Sequence, residues 1–99
     1  MEKLLTVSSR KYAYLSTNRY FTFKGHKEYE KSIIITFENR SGEIEFNLTN
    51  LSSGKTHKLT SSDAGTHEFP LPKLEKVLLH IKSSKAIGSY KIQVKTIKE

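Results

Sequence analysis

Most of this 99-residue chain alternates between apolar and polar residues with a period of two. Successive side chains of a strand point to opposite faces, so each apolar set predicts one buried face of a half-exposed strand. Turn-forming clusters of Ser, Gly, Asn and Asp separate the sets. The pattern predicts an antiparallel, all-β fold. The clearest sets are Ile33, Ile35 and Phe37; Ile44, Phe46 and Leu48; Val77, Leu79 and Ile81; and Tyr90, Ile92 and Val94.

The predicted strands are short, and turns follow them closely. Pro70 and Pro72 lack the N–H that a sheet ladder needs, which places their segment at an edge or a strand end. No ten-residue stretch has a convincing helical stripe. Residues 1–99 are therefore predicted to form one antiparallel β-sandwich, jelly-roll-like, with eight or nine short strands. The candidate strands are Lys3–Val7, Lys11–Leu15, Arg19–Lys24, Ser32–Glu38, Glu43–Thr49, Lys55–Thr60, Thr66–Leu71, Lys76–Lys82 and Ser89–Ile97.

Composition excludes several classes of function. The chain has no cysteine, which rules out thiol catalysis, thiolate metal sites and disulfides. No apolar run approaches the roughly 20 residues of a membrane span. The start, Met1 to Val7, lacks the apolar core and cleavage site of a signal peptide. Two locations follow as alternatives: secreted or cell surface if the chain is a trimmed mature domain, and cytoplasmic if it is the full gene product.

The net charge of +7 is unevenly distributed along the chain. Residues 1–27 carry +5, residues 28–72 carry −3, and residues 73–99 carry +5. First and last strands of a sandwich often share a sheet or an edge, so this division predicts one basic and one more acidic sheet. A basic sheet attracts polyanions such as nucleic acid, anionic glycans or lipid headgroups. The alternative is that the lysines only keep the sheet soluble and protect its edges.

Four segments carry a resemblance to a known family: Tyr20–Phe23, Ser32–Phe37, Gly42–Leu48 and Gly88–Val94. In this order, across roughly residues 19–97, they resemble bacterial pre-peptidase C-terminal domains and the similar collagen-binding modules of clostridial collagenases. The resemblance implies a jelly-roll module of a secreted or surface bacterial protein. Calcium binding is not carried over, because Asp63 is the only aspartate.

Two surfaces are candidates for binding. The first is aromatic and basic and lies in the first third of the chain. Tyrosines outside a core supply rigid area that stacks on sugars, bases or proline rings, and an arginine adds anion contacts. The alternative is that these rings complete the core. The residues are Tyr12, Tyr14, Tyr20 and Arg19.

The second candidate surface comes from the outward faces of the last two predicted strands. If these strands are neighbours, alternation brings their polar side chains into one basic patch. The residues are Lys76, His80 and Lys82 with Lys91, Gln93 and Lys95.

No motif for catalysis is found. The four histidines are too scattered for zinc, which needs three or four ligands, and Glu43 and Glu45 have the spacing of a solvated strand face. The sequence therefore predicts a non-enzymatic binding module without cofactor that docks on a polymer or protein partner. The alternative is a small basic cytosolic or phage-type protein that binds nucleic acid or inhibits a nucleic-acid enzyme.

Overall fold

The protein folds as one antiparallel sheet that bends back on itself into a sandwich. The computed structural model describes residues 2–97. A short 3-10 turn, Ser61–Asp63, joins the two shortest strands, and the described residues include no helix long and apolar enough to cross a membrane. The strands are β1 (Glu2–Lys24), β2 (Glu30–Asn50), β3 (Thr56–Leu59), β4 (Gly65–Leu71) and β5 (Lys76–Ile97).

The sheet divides into two half-sheets because its three long strands all bend near their middles. Strand β5 pairs with β1 on one side and β2 on the other, and β2 pairs with β4 before its bend and with β3 after it. The first half-sheet contains β4 and residues 2–12, 30–39 and 88–97. The second contains β3 and residues 17–24, 43–50 and 76–83.

Bulges make the bend, and glycines allow the strands to approach there. Pairing shifts register after Tyr12 in β1 and after Asn39 in β2, and the extra residues let each strand turn while staying paired. Gly42 has φ +73°, and a Cβ on Gly88 would lie 2.0 Å from the carbonyl oxygen of Glu38. The turn-forming clusters at residues 39–42 and 83–88 therefore lie inside continuous strands, whereas those at 52–54 and 61–64 do connect strands, and five strands replace the predicted eight or nine.

The hydrophobic core lies between the two half-sheets. The ring centroids of Phe37 in the first half-sheet and Phe46 in the second are 4.8 Å apart, and Phe46 meets Tyr90 edge-on at 5.9 Å. The inward residues that alternation predicted are buried, which confirms the all-β sandwich. The fully buried side chains include Ile33, Ile35, Ile44, Leu48, Leu79, Ile81 and Ile92.

The charge is not distributed as the sequence suggested. The basic strands β1 and β5 are neighbours, as expected, but they are neighbours in both half-sheets. Each half-sheet thus has a basic side, formed by β1 and β5, and a less basic side formed by β2 with β3 or β4. The prediction of one basic and one acidic sheet is wrong, because the long strands bend and contribute to both sheets.

Candidate functional site

The tyrosines predicted to share one surface lie in different environments. Tyr12 is 7% exposed, its hydroxyl donates to the carbonyl oxygen of Glu38 at 3.2 Å, and its ring lies 5.9 Å from that of Tyr90. Burial, together with the nearby Tyr90, raises the pKa of Tyr12 to about 12. Tyr12 is part of the core, which corrects its prediction as a binding residue.

Arg19 also faces away from the predicted surface. It pairs with the buried Ile81, so its side chain starts on the inner side of the sheet. Its Nη1 donates to the hydroxyl of Tyr90 at 3.3 Å, and its guanidinium carbon lies 5.1 Å from the centroid of the Phe21 ring. Arg19 therefore bridges the two half-sheets at the side where β1 forms the edge, and it does not share the outer surface on which Tyr20 lies.

Tyr20 is on the outer surface of the second half-sheet. Its side chain is 61% exposed, and it pairs across β1 and β5 with His80. The two rings stack with centroids 4.4 Å apart and an interplanar angle of 4°. The Nε2 of His80 is also hydrogen-bonded to Oδ1 of Asn18 at 3.0 Å. The structure thus holds an exposed aromatic ring in a defined orientation.

Lysines lie on both sides of this aromatic pair. Lys82 is paired with Asn18, and Lys76 is paired with Lys24 at the other end of the same two strands. We call this surface the Tyr20 face. It brings together four of the predicted binding residues. Its two further members, Asn18 and Lys24, could have been found because each lies an even number of residues from Tyr20. The face comprises Asn18, Tyr20, Lys24, Lys76, His80 and Lys82.

The β2 and β3 side of the same half-sheet is electrically neutralised. Lys58 Nζ lies 2.8 Å from Oε1 of Glu45, and the amide of Asn47 donates to Oε2 of Glu45 at 2.9 Å. These contacts, with that of Lys58 the strongest, hold the pKa of Glu45 below its usual value. Lys82 on β5 is the cross-strand partner of Glu45 and also helps to lower its pKa. The lysines of this surface that lie away from Glu45 are therefore Lys24 on β1 and Lys76 on β5.

The predicted basic patch from the end of the chain does not form as one surface. Its two sets of residues lie on one continuous strand, β5, which bends between them. Lys76, His80 and Lys82 are on the outside of the second half-sheet, whereas Lys91 and Gln93 are on the outside of the first. The patch is therefore split between opposite faces of the sandwich.

Lys95, on the same outer face as Lys91, is already paired. Its Nζ lies 3.0 Å from Oε2 of Glu68 and its side chain is only 20% exposed. The hydroxyl of Ser32 donates to the same oxygen at 2.7 Å. The Ser32 bond and the Lys95 contact lower the pKa of Glu68, and the Glu68 contact raises the pKa of Lys95. Lys95 is thus not available as an isolated surface cation.

A second exposed surface lies at the bend, where the sheet forms a convex ridge. Tyr14 is 75% exposed and has φ +53°, and Lys85, on the neighbouring strand β5, has φ +49°. The N–H of Lys85 donates to the hydroxyl of Ser16 at 3.0 Å. We define the ridge as Tyr14, Arg40 and Lys85, all exposed. Alternation alone would place Tyr14 on the buried side with Tyr12, and the bulge between them reverses this.

Left-handed backbone is rare for residues other than glycine, asparagine and aspartate, and it costs about 1–2 kcal/mol per residue. The ridge has two such residues on neighbouring strands, Tyr14 and Lys85. Strained conformations of this kind persist where the surrounding structure enforces them, and they concentrate at functional sites. Neither left-handed residue could be predicted from the sequence.

The histidines do not form a metal site. His57 is on β3 and His67 is on β4, and both strands pair with β2 rather than with each other. Between residues 2 and 97, no group of three or more His, Asp or Glu side chains is placed to hold a metal ion.

Comparison with known proteins gives a likeness in fold. No family model matches the chain, and no curated protein matches its sequence. The crystal structure of Aeromonas hydrophila PliG, described as a periplasmic lysozyme inhibitor of g-type lysozyme, superposes with a TM-score of 0.51 at 12% identity. The match covers 97% of this chain and 86% of that chain. The likeness supports the sandwich fold, and the resemblance to pre-peptidase C-terminal domains stays a prediction.

Proposed function

We propose that this chain is a non-catalytic module that docks on a protein partner through its ridge, and that the partner is a glycosidase of the lysozyme type. The observation that carries the proposal is the ridge itself, a convex edge with an exposed tyrosine and two cations. The fold likeness to a lysozyme inhibitor supports the choice of partner class. The proposal places the module outside the cytoplasm, where such a partner would act.

The shape and rigidity of the ridge suit insertion into a cleft. Enzyme sites are concave, and a sheet that folds back on itself presents a narrow convex edge. Tyr14 projects from this edge with its backbone held by paired strands on both sides of the bulge. Tyrosine and arginine are enriched among residues that dominate binding energy. Tyrosine in particular buries a large, rigid area with little loss of conformational freedom.

The charge of the ridge suits a glycosidase cleft. Most glycoside hydrolases use a pair of carboxyl groups on either side of the scissile bond. Lys85 and Arg40 are exposed at the ridge, and neither forms an ion pair with any residue in the described range 2–97. A cation that enters such a cleft would meet uncompensated negative charge in surroundings that exclude water, which strengthens the attraction.

The proposal is tested with a purified g-type lysozyme. Its lysis of a cell-wall suspension is followed by turbidity in the presence of increasing concentrations of the wild-type protein, and the Kd is measured by calorimetry. We expect inhibition with 1:1 binding. Tyr14→Ala and Lys85→Glu should each weaken binding about tenfold or more, the loss typical of residues that dominate an interface.

The matched control is Lys91→Glu, which makes the same charge change at an exposed residue on the first half-sheet. It should inhibit like the wild type. Absence of both inhibition and binding by the wild type would reject the glycosidase partner. Inhibition that survives both Tyr14→Ala and Lys85→Glu would reject the ridge as the docking surface.

A further inference from the structure

We infer that the Tyr20 face is a separate binding site for single-stranded nucleic acid, with a base stacked on Tyr20 and the backbone phosphates held by lysines of β1 and β5. The inference rests on the outer surface of the second half-sheet and does not depend on the ridge.

Tyr20 has one ring face free for stacking. His80 covers the other face at a centroid distance of 4.4 Å, yet Tyr20 remains 61% exposed. Tyr20 is on β1, which is the edge strand of the sheet, so the exposed ring face looks outward past that edge. Every nucleobase has a flat π-face, and exposed aromatic rings on sheets are a common platform for unpaired bases.

Two lysines near Tyr20 are placed so that they repel each other in the free protein. Lys24 and Lys76 are direct cross-strand partners with side chains on the same face, and like charges in this position repel each other. Within residues 2–97, neither forms an ion pair. An anion bound between them would relieve the repulsion, so this pair is suited to a phosphate.

The spacing along the strands suits a linear ligand. From the Tyr20–His80 pair, Lys82 is two residues along β5 in one direction and Lys76 is four residues in the other. At about 3.3 Å per residue these positions lie roughly 7 and 13 Å from the stacked rings. Lysines therefore flank an aromatic centre on one line, with Lys82 opposite Glu45 at one end and Lys76 opposite Lys24 at the other. The Lys24 and Lys76 end is the stronger candidate for a phosphate. A neutral glycan would use only the ring, whereas single-stranded nucleic acid uses the ring for a flat base and the lysines for its phosphates.

The experiment measures fluorescence anisotropy of two labelled 12-residue probes, oligothymidylate and an abasic sugar–phosphate strand, at about 50 mM salt. The wild type should bind oligothymidylate more tightly than the abasic strand. Tyr20→Ala should weaken oligothymidylate binding roughly 5- to 150-fold, the range for loss of one base-stacking contact. The same variant should leave abasic binding unchanged, and Tyr20→Phe should retain stacking.

Lysine variants test the phosphate contacts. The double variant Lys24→Gln/Lys76→Gln should weaken binding of both probes and reduce the slope of log affinity against log salt by about 1.4, or 0.7 for each lost contact. The matched control is Lys11→Gln/Lys91→Gln, which removes two exposed lysines from the outside of the first half-sheet. It should have the smaller effect on affinity.

Two results would overturn the inference. Equal affinity for the two probes, or oligothymidylate binding unaffected by Tyr20→Ala, would show a general polyanion surface with no place for a base. Equal effects of the two double-lysine variants would show that net charge alone matters. Tyr14→Ala should bind both probes like the wild type, so failure of the nucleic-acid inference is distinguishable from failure of the ridge proposal.

Discussion

Replacing Tyr14 by glycine separates the conformational cost of the ridge from its use in binding. The substitution removes a left-handed strain of about 1–2 kcal/mol. Glycine gives back about 0.5–1 kcal/mol of that through the greater freedom of the unfolded chain. The ring is 75% exposed, so little buried area is lost. Stability should therefore stay the same or rise by up to about 1.5 kcal/mol, although partner binding falls.

The assay is urea unfolding followed by far-UV circular dichroism. With a slope of about 2 kcal/mol per molar urea, a gain of 1 kcal/mol moves the midpoint up by about 0.5 M. Tyr14→Asn is the companion variant, because asparagine tolerates the left-handed region and has less conformational freedom in the unfolded chain than glycine has. A loss above about 1 kcal/mol in both variants would mean that the Tyr14 ring stabilises the fold by more than the left-handed backbone strain costs.

Three further predictions concern the fold. Ile92→Ala should destabilise by about 2–5 kcal/mol and Gln93→Ala by about 0.5 kcal/mol in urea unfolding, and equal losses would contradict the strand register. Gly88→Ala should cost at least about 3 kcal/mol, because β2 must move away, whereas Gly54→Ala has open space and should cost only its left-handed strain of about 1–2 kcal/mol. Because the pKa of Tyr12 is raised from 10.0 to about 12, Tyr12 contributes stability that is fully present below pH 10 and is lost as the pH rises toward 12. In Tyr12→Phe the urea midpoint should therefore fall less between pH 10 and 12 than it does in the wild type.

Local periodicity was enough to predict the fold class and most of the core. Ile35, Phe46, Leu79 and Ile92 are fully buried, as their alternation required. The period of two is a property of the strand backbone itself, so it is readable without knowing which strands pair. The same rule puts Tyr20 on the face opposite Phe21 and Phe23, and of the two alternatives for its ring, binding surface or core, the structure shows an exposed ring.

The candidate sites could not be predicted from periodicity alone, because they depend on bulges, strand bends and the pairing of distant strands. Tyr12 and Tyr14 have the same parity, yet a bulge between them buries one and exposes the other, since a register slip of one residue exchanges the faces of a strand. Lys82 and Lys91 lie on one strand but on opposite sides of the sandwich, because that strand bends. Lys95 is neutralised by Glu68, a residue 27 positions away that only the pairing of β4 with β2 brings near. The sequence by itself determined which residues alternate. The pairing of distant strands decided where each alternation reverses and which charges remain free, because bulges and ion pairs form only between segments that meet in the folded chain.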